Sequence, residues 1–293
     1  MWAIFSILAA LTWAVVNTVD KYILTKWIRT PLVPVIIVGL IGLMTSVVIY
    51  FVYGFTFLSG FNIFLALVAG IFSILMTVFY FKALKIGEVS RIVPLFYLSP
   101  LFILIFAGIF LGEVFTPLNY LGIFLLVFGG ILISSTNPFK VKPSKAFWWM
   151  LLATISIAIE ALLTKYLLNF ADYWTVFSWI RIGAVVGIIP IAYLYLPELI
   201  ATIKEHGKKV IFLMSTNESL NLLGVLFITI ATSIGYVTLV NALSSIQPFF
   251  VLLFTVLLSI FYPSILKEEL SKSIIFLKIL AIVLMFSGAI LIT

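Results

Sequence analysis

VSRIVPLFYLSPLFIL (residues 89–104) returns without a gap as VTLVNALSSIQPFFVL (237–252), pairing Pro100 with Pro248 and Phe102 with Phe250. Two shorter echoes keep the same order. Lys21-Tyr22 recurs as Lys165-Tyr166, and GGILIS (129–134) recurs as GAILIT (288–293). The offset lengthens along the chain, so insertions are needed, and much of the later one falls in FYPSILKEELSK (261–272). Apolar stretches match by chance easily. The paired prolines and the shared order therefore weigh more than the isoleucines.

Working outward, ten apolar segments of membrane length are expected, near 2–20, 32–53, 62–83, 89–110, 117–135, 146–167, 174–195, 210–232, 237–260 and 274–292. About 20 apolar residues in a helix cross a bilayer. The eighth segment begins at 210 because that start keeps the halves matched. The predicted fold is an all-α membrane protein, with residues 1–135 and 146–293 as two five-helix repeats. An odd number of spans per repeat inserts the second upside down relative to the first, the inverted-repeat plan of many secondary transporters. The linker SSTNPFKVKPSK (134–145) is polar, basic and proline-bearing.

Composition agrees. The chain has 293 residues, of which 64% are hydrophobic and 9% charged, with mean hydropathy +1.33. Soluble domains carry roughly 25% charged residues, so a water-facing surface cannot be built here. The net charge of +7 clusters at segment ends, which suits anionic lipid and an orientation signal rather than nucleic acid. Lys21, Lys26, Arg29, Lys82, Lys85, Arg91, Lys140, Lys204 and Lys267 all fall on one side, which the positive-inside rule assigns to the cytoplasm. Lys278, in the first turns of segment 10, is expected to snorkel to that side. The N-terminal run lacks a basic leader and reads as a retained first helix. These features predict a multi-pass protein of a prokaryotic plasma membrane.

The unit LSPLFILIFAGIFLGE (98–113) followed by LGIFLLVFGGILIS (121–134) resembles the EamA-type branch of the drug/metabolite transporter superfamily. The second half offers SSIQPFFVLLFTVLLSIF (244–261) and LKEEL (266–270). The resemblance implies a central cavity between the halves, alternating access, and export or uptake of small metabolites, often amino acids. By the same resemblance Glu113 matches the glutamate closing the family's fourth helix, and Pro100 and Pro248 match its helix prolines. Trp13 matches a first-helix tryptophan, although Ala14 stands where glycine usually follows. In the second half Ile260-Phe261 replaces the Gly-Glu turn, and Glu268-Glu269 arrives later.

Glu160, Arg181 and Glu218 lie inside predicted spans. A charge at that depth costs at least about 2.5–3.5 kcal/mol, so it faces protein, a cavity or a partner. Glu160 and Arg181 sit near one level, about 10 Å from the same membrane face at 1.5 Å per residue. Either Arg181 binds an anionic group of a substrate while Glu160 or Glu218 carries a coupling proton or an amine, or Glu160 and Arg181 form a structural ion pair. Asn217 and Asn221 share a helical face beside Glu218, which reads as a wet lining or as an interfacial approach to the span. Asn17 is a further lining candidate, and Asp20 beside Lys21 reads as an interface anchor. Asn241, Ser244 and Gln247 recur at three-residue steps and are expected opposite Tyr97 and Ser99, as pathway lining or as helix–helix hydrogen bonds. Pro94, Pro100 and Pro248 each remove a helix hydrogen bond and are expected to bend their helices. Gly129 and Gly130 read as close-packing positions.

No phosphate-binding G-x-x-x-x-G-K-[ST] stretch, no cysteine and a single histidine, His206, are present. No cofactor, metal or catalytic group is expected. The reading is a secondary transporter of small metabolites that favours export and protons as coupling ion. A membrane scaffold or sensor is the alternative. Monomer and homodimer are both open.

Overall fold

The computed structural model describes residues 1–54, 56–99, 102, 106, 116–134, 143–234, 244 and 246–292. Pro100, Glu113 and Asn241 lie outside the described residues. The helices are α1 (Trp2–Lys26), α2 (Val33–Tyr53), α3 (Gly60–Ile86), α4 (Val89–Ile92, continued by a 3-10 turn, Val93–Leu98), α5 (Pro117–Ser134), α6 (Lys145–Leu167), α7 (Tyr173–His206), α8 (Lys208–Ile234), α9 (Gln247–Phe261) and α10 (Lys272–Ile292). Among the described residues seven of these are long and apolar enough to cross a membrane, and Val89–Leu98, Pro117–Ile133 and Gln247–Phe261 are shorter apolar helices.

Local chemistry places the ends. Ser59 and Ser144 cap α3 and α6 by accepting from the backbone N–H groups of Asn62 and Phe147, at 3.3 and 3.2 Å. The Asp172 carboxylate accepts from the N–H groups of Trp174 (2.9 Å) and Thr175 (3.1 Å), two donors that α7 leaves unpaired in its first turn. It also accepts from the Thr175 hydroxyl at 2.7 Å. That hydroxyl, and then the two N–H groups, hold the carboxyl below its usual range although it is nearly fully exposed. Asp172→Ala is expected to cost about 1 kcal/mol, as helix caps commonly do, and thermal melts of the solubilised protein would register it. Within the spans, hydroxyls find carbonyls on their own helix. Thr18 donates to Ala14 at 2.8 Å and Thr77 donates to Ser73 at 3.0 Å. Lipid offers no alternative partner.

Three expectations change. The charged stretch 196–206 continues α7 as helix, giving 34 residues and roughly 51 Å at 1.5 Å per residue, well beyond a hydrocarbon core of about 30 Å. Pro190 and Pro197 lie inside this helix. Pro248, expected to bend a helix, occupies the first turn of α9, where no N–H is needed and its fixed φ suits the start. Segment 4 is not one regular helix in its described part. Pro94 opens the 3-10 turn there.

The two halves pack mainly against each other. α1 packs on α8, α3 on α6, α2 and α3 on α7, and α5 on α10. Lesser contacts join α2 to α8, α1 to α9, α4 to α9, and α6 to the 3-10 turn. Adding five to a first-half label, and subtracting five from a second-half label, carries these pairs into one another. The tightest crossing is α3 on α7. A Cβ at Gly70 would stand 2.2 Å from the Ile180 carbonyl oxygen, and one at Gly183 would stand 2.6 Å from the Leu67 backbone. The glycines let the two backbones meet, as small residues do between helices in lipid. Gly129 and Gly130 serve the same purpose against α10 and Leu98.

Burial is inverted relative to a water-soluble protein. Phe51 (79% exposed), Phe212 (72%) and Phe276 (68%) face outward, while Asn17, Asn217, Glu218 and Lys278 are buried. A surface of large apolar side chains around a partly polar interior is what lipid as solvent selects. The chain is an integral, multi-pass membrane protein.

Candidate functional site

The polar interior gathers where α1 crosses α8 with α3 behind. Tyr80 of α3 lies beside both Asn17 (hydroxyl to Oδ1, 2.9 Å) and Asp20 (3.2 Å). The Asn217 amide donates to Asp20 at 2.7 Å and to the Val16 carbonyl at 3.3 Å. One turn along α8, Asn221 donates to Glu218 at 3.2 Å. The Trp13 indole N–H reaches the Asn221 carbonyl at 3.4 Å, and Gly224 makes room for that ring. Asp20, Asn217 and Glu218 line a cavity of about 20 Å³ closed by Pro34, Ile37 and Phe81. Asn17 Nδ2 and Asn217 Oδ1 are buried without a hydrogen-bond partner among the described residues.

Arg181 comes from α7. Its charge acts on both Glu160 and Glu218, yet the ion pairs among the described residues do not include it. The Glu160–Arg181 ion pair, one of the two alternatives, is therefore not formed. Instead the guanidinium carbon lies 4.8 Å from the Phe177 ring centroid, and Nε is buried without a partner. Glu160 lies near the Ser73 side chain and, with Ile157, Ala161, Thr164 and Leu168, lines an open groove of about 380 Å³.

Gln247 stands apart from this cluster. Its Oε1 lies 3.3 Å from the Tyr97 hydroxyl, which is 3.0 Å from the Ser244 carbonyl. This matches the expected pairing of that face with Tyr97. Asp20 is the residue that sequence reasoning missed. It was assigned to the headgroup level, but α1 runs six residues past the expected end, to Lys26, so Asp20 faces the interior. Its neighbour Lys21 instead donates to the Leu84 and Gly87 carbonyls, each at 2.7 Å.

A second charged cluster ties the halves together at the end of the bundle where α1 and α3 finish and α10 begins. Lys278 is 1% exposed and contacts Glu88 at 2.6 Å and Glu268 at 3.1 Å. It does not snorkel outward as expected, because two carboxylates meet it inside. Ser90 donates to Glu268 from both backbone and hydroxyl. Arg91 pairs with Glu88 at 2.8 Å and lies 3.8 Å from Glu269. The Glu269 N–H donates to Glu88 at 3.0 Å. Burial pushes the Glu88 carboxyl up, but Lys278, Arg91 and the Glu269 N–H outweigh it and hold the group below its ordinary value of 4.5. A depressed carboxyl stabilises the fold fully above its unfolded pKa, and that contribution fades as pH falls through the lower folded value. Melting temperature should therefore fall as pH drops below about 4.5, and Glu88→Gln should flatten that part of the profile.

Residues 1–135 match the model of the EamA-like transporter family. The chain carries an EamA domain. A curated relative from Sinorhizobium sp., described as an uncharacterized transporter in the cobO 3′ region, is 40% identical over 55 residues, 19% of this chain and 39% of the relative. The match thus spans well under half of that relative's length. A solved crystal structure, described simply as that of a protein, aligns over 100% of this chain and 96% of its own, with a TM-score of 0.53 and 16% identity. At that identity the likeness concerns the fold alone. The EamA domain contributes Trp13, Asn17, Asp20 and Tyr80 to the polar cluster, and the part of the chain beyond the match contributes Arg181, Asn217, Glu218 and Asn221.

Proposed function

We propose that this protein is a secondary transporter of small polar metabolites, built from two inverted five-helix repeats and ten spans in a prokaryotic plasma membrane. The observation that carries the reading is the position of the polar cluster. In a protein whose outer surface is apolar, Asp20, Asn217, Glu218 and Arg181 converge where helices of both halves cross. Ionisable groups kept at such depth are costly and usually serve a pathway. The exchange of helix pairs between halves supports the inverted arrangement, since a two-fold relation produces matching contacts.

In this reading Arg181 recognises an anionic group on the substrate. Its free Nε and its position over an aromatic face leave donor capacity for a carboxylate, which guanidinium groups bind with directional hydrogen bonds. Asn17, Asn221 and Gln247 supply neutral contacts, and Glu160 faces a groove through which a solute can approach. Carboxyl groups at depth suit a gradient of protons, or of another small cation, as the driving force, and export is the direction the family resemblance favours. Amino acids satisfy the pairing of an anionic with a cationic group.

Proteoliposome flux with a panel of amino acids and other small metabolites, with and without an ion gradient, tests the proposal. Saturable counterflow of at least one solute is expected. Correctly inserted protein that moves none of the panel above empty liposomes contradicts it.

A further inference from the structure

We infer that Asp20, Asn217 and Glu218 form a binding site for one sodium-sized monovalent cation at the α1–α8 crossing. Three observations carry this. The cavity that these residues line has a volume of about 20 Å³, enough for one water-sized particle and too small for any metabolite. Its polar lining is rich in acceptors, two carboxyl groups and one amide oxygen. Asn217 spends its N–H groups on Asp20 and the Val16 carbonyl, which fixes the amide orientation, since both partners are acceptors. That leaves Asn217 Oδ1, on a residue 4% exposed, without a partner among the described residues. Two carboxylates and a buried amide oxygen around one small space call for a positive guest.

The charged groups on the neighbouring helices do not supply it. From α3 come the Tyr80 hydroxyl, 3.2 Å from Asp20, and Lys85, whose ammonium is directed to the Leu24 and Ile28 carbonyls. From α7, Arg181 acts on Glu218 without an ion pair and is shared with Glu160. Lys21 on α1 is directed to the Leu84 and Gly87 carbonyls. From α2 the lining is apolar, through Pro34, Ile37 and Val38. A lone water would satisfy the amide oxygen but leave both carboxylates unneutralised in lipid. A divalent ion such as calcium takes six to eight oxygens, more than the five carried by the side chains of Asp20, Asn217 and Glu218.

The use of this ion as the coupling cation rests on the transport reading above, but its binding does not. Purified full-length protein in detergent is the sample, with radiolabelled sodium as probe and choline chloride matching ionic strength. Expected are about one sodium per chain and a higher melting temperature in sodium than in choline. Glu218→Gln and Asp20→Asn should each weaken binding at least tenfold and abolish the sodium-dependent melting shift. Glu205→Gln, at an exposed surface pair, should change neither. Should Asp20→Asn fold poorly, the shape-preserving Glu218→Gln carries the comparison. Equal melting in sodium and choline with no bound sodium overturns the site, as does stabilisation by calcium alone. Sodium binding without any flux leaves the site standing and contradicts transport. Flux driven by a pH gradient without bound sodium does the reverse.

Discussion

Lys278→Met is expected to destabilise the protein by about 3–5 kcal/mol, the usual cost of removing one partner from a buried ion pair. The ammonium is 1% exposed and meets Glu88 and Glu268 together, and the Glu268 side chain is itself 2% exposed. Removing the cation leaves the enclosed Glu268 carboxylate without a counter-charge, while Glu88 keeps its pair with Arg91 at 2.8 Å. Methionine preserves much of the volume, so lost packing is a minor part of the effect. The triple variant Lys278→Met, Glu88→Gln, Glu268→Gln should recover a good part of the loss, because no charge then remains without a partner. Melting temperature and monodispersity in detergent provide the readout. A single variant that melts like the parent would show that water reaches this cluster freely.

The second large effect concerns activity. Arg181→Ala should reduce saturable flux by at least about 30-fold, the equivalent of roughly 2 kcal/mol for truncating a buried hydrogen-bonded charge. Its stability cost should be much smaller than that of Lys278→Met, because Arg181 makes no direct ion pair among the described residues. Arg181→Lys is informative beside it. Lysine keeps the charge but loses the planar fork, so impaired flux with normal insertion indicates that the guanidinium touches the substrate. Unchanged flux in Arg181→Ala would end the assignment.

The long spans were legible because apolar runs of about 20 residues have few alternatives. The first residue of α8, Lys208, lies close to the expected start at 210. The repeat register placed it there although Asn217 and Glu218 depress local hydropathy. The extension of α7 was not legible, because Pro197 and the charges at 198–206 look like loop signals inside a membrane frame. Outside the bilayer, Glu, Leu, Ile, Ala and Lys are ordinary helix residues. Glu160, Arg181 and Glu218 were found from the cost of burying charge. Asp20 and Lys278 escaped for one reason. Each sits near a segment end, where sequence suggests a route to water, and each is held inside by partners far along the chain. Asp20 meets Asn217, and Lys278 meets Glu88. A single sequence read by hydropathy has no access to such distant pairings.

The Lys278 cluster also bears on how the protein is made. Glu88 and Arg91 enter the membrane region early in synthesis, and Glu268 follows much later. Lys278, on α10, comes last of the four. Until α10 inserts, Glu88 lacks the ammonium that contacts it most closely. Completion of the charge set therefore coincides with completion of the chain. A chain that stops before α10 leaves Glu268 at a helix junction without the ammonium that meets it in the finished fold.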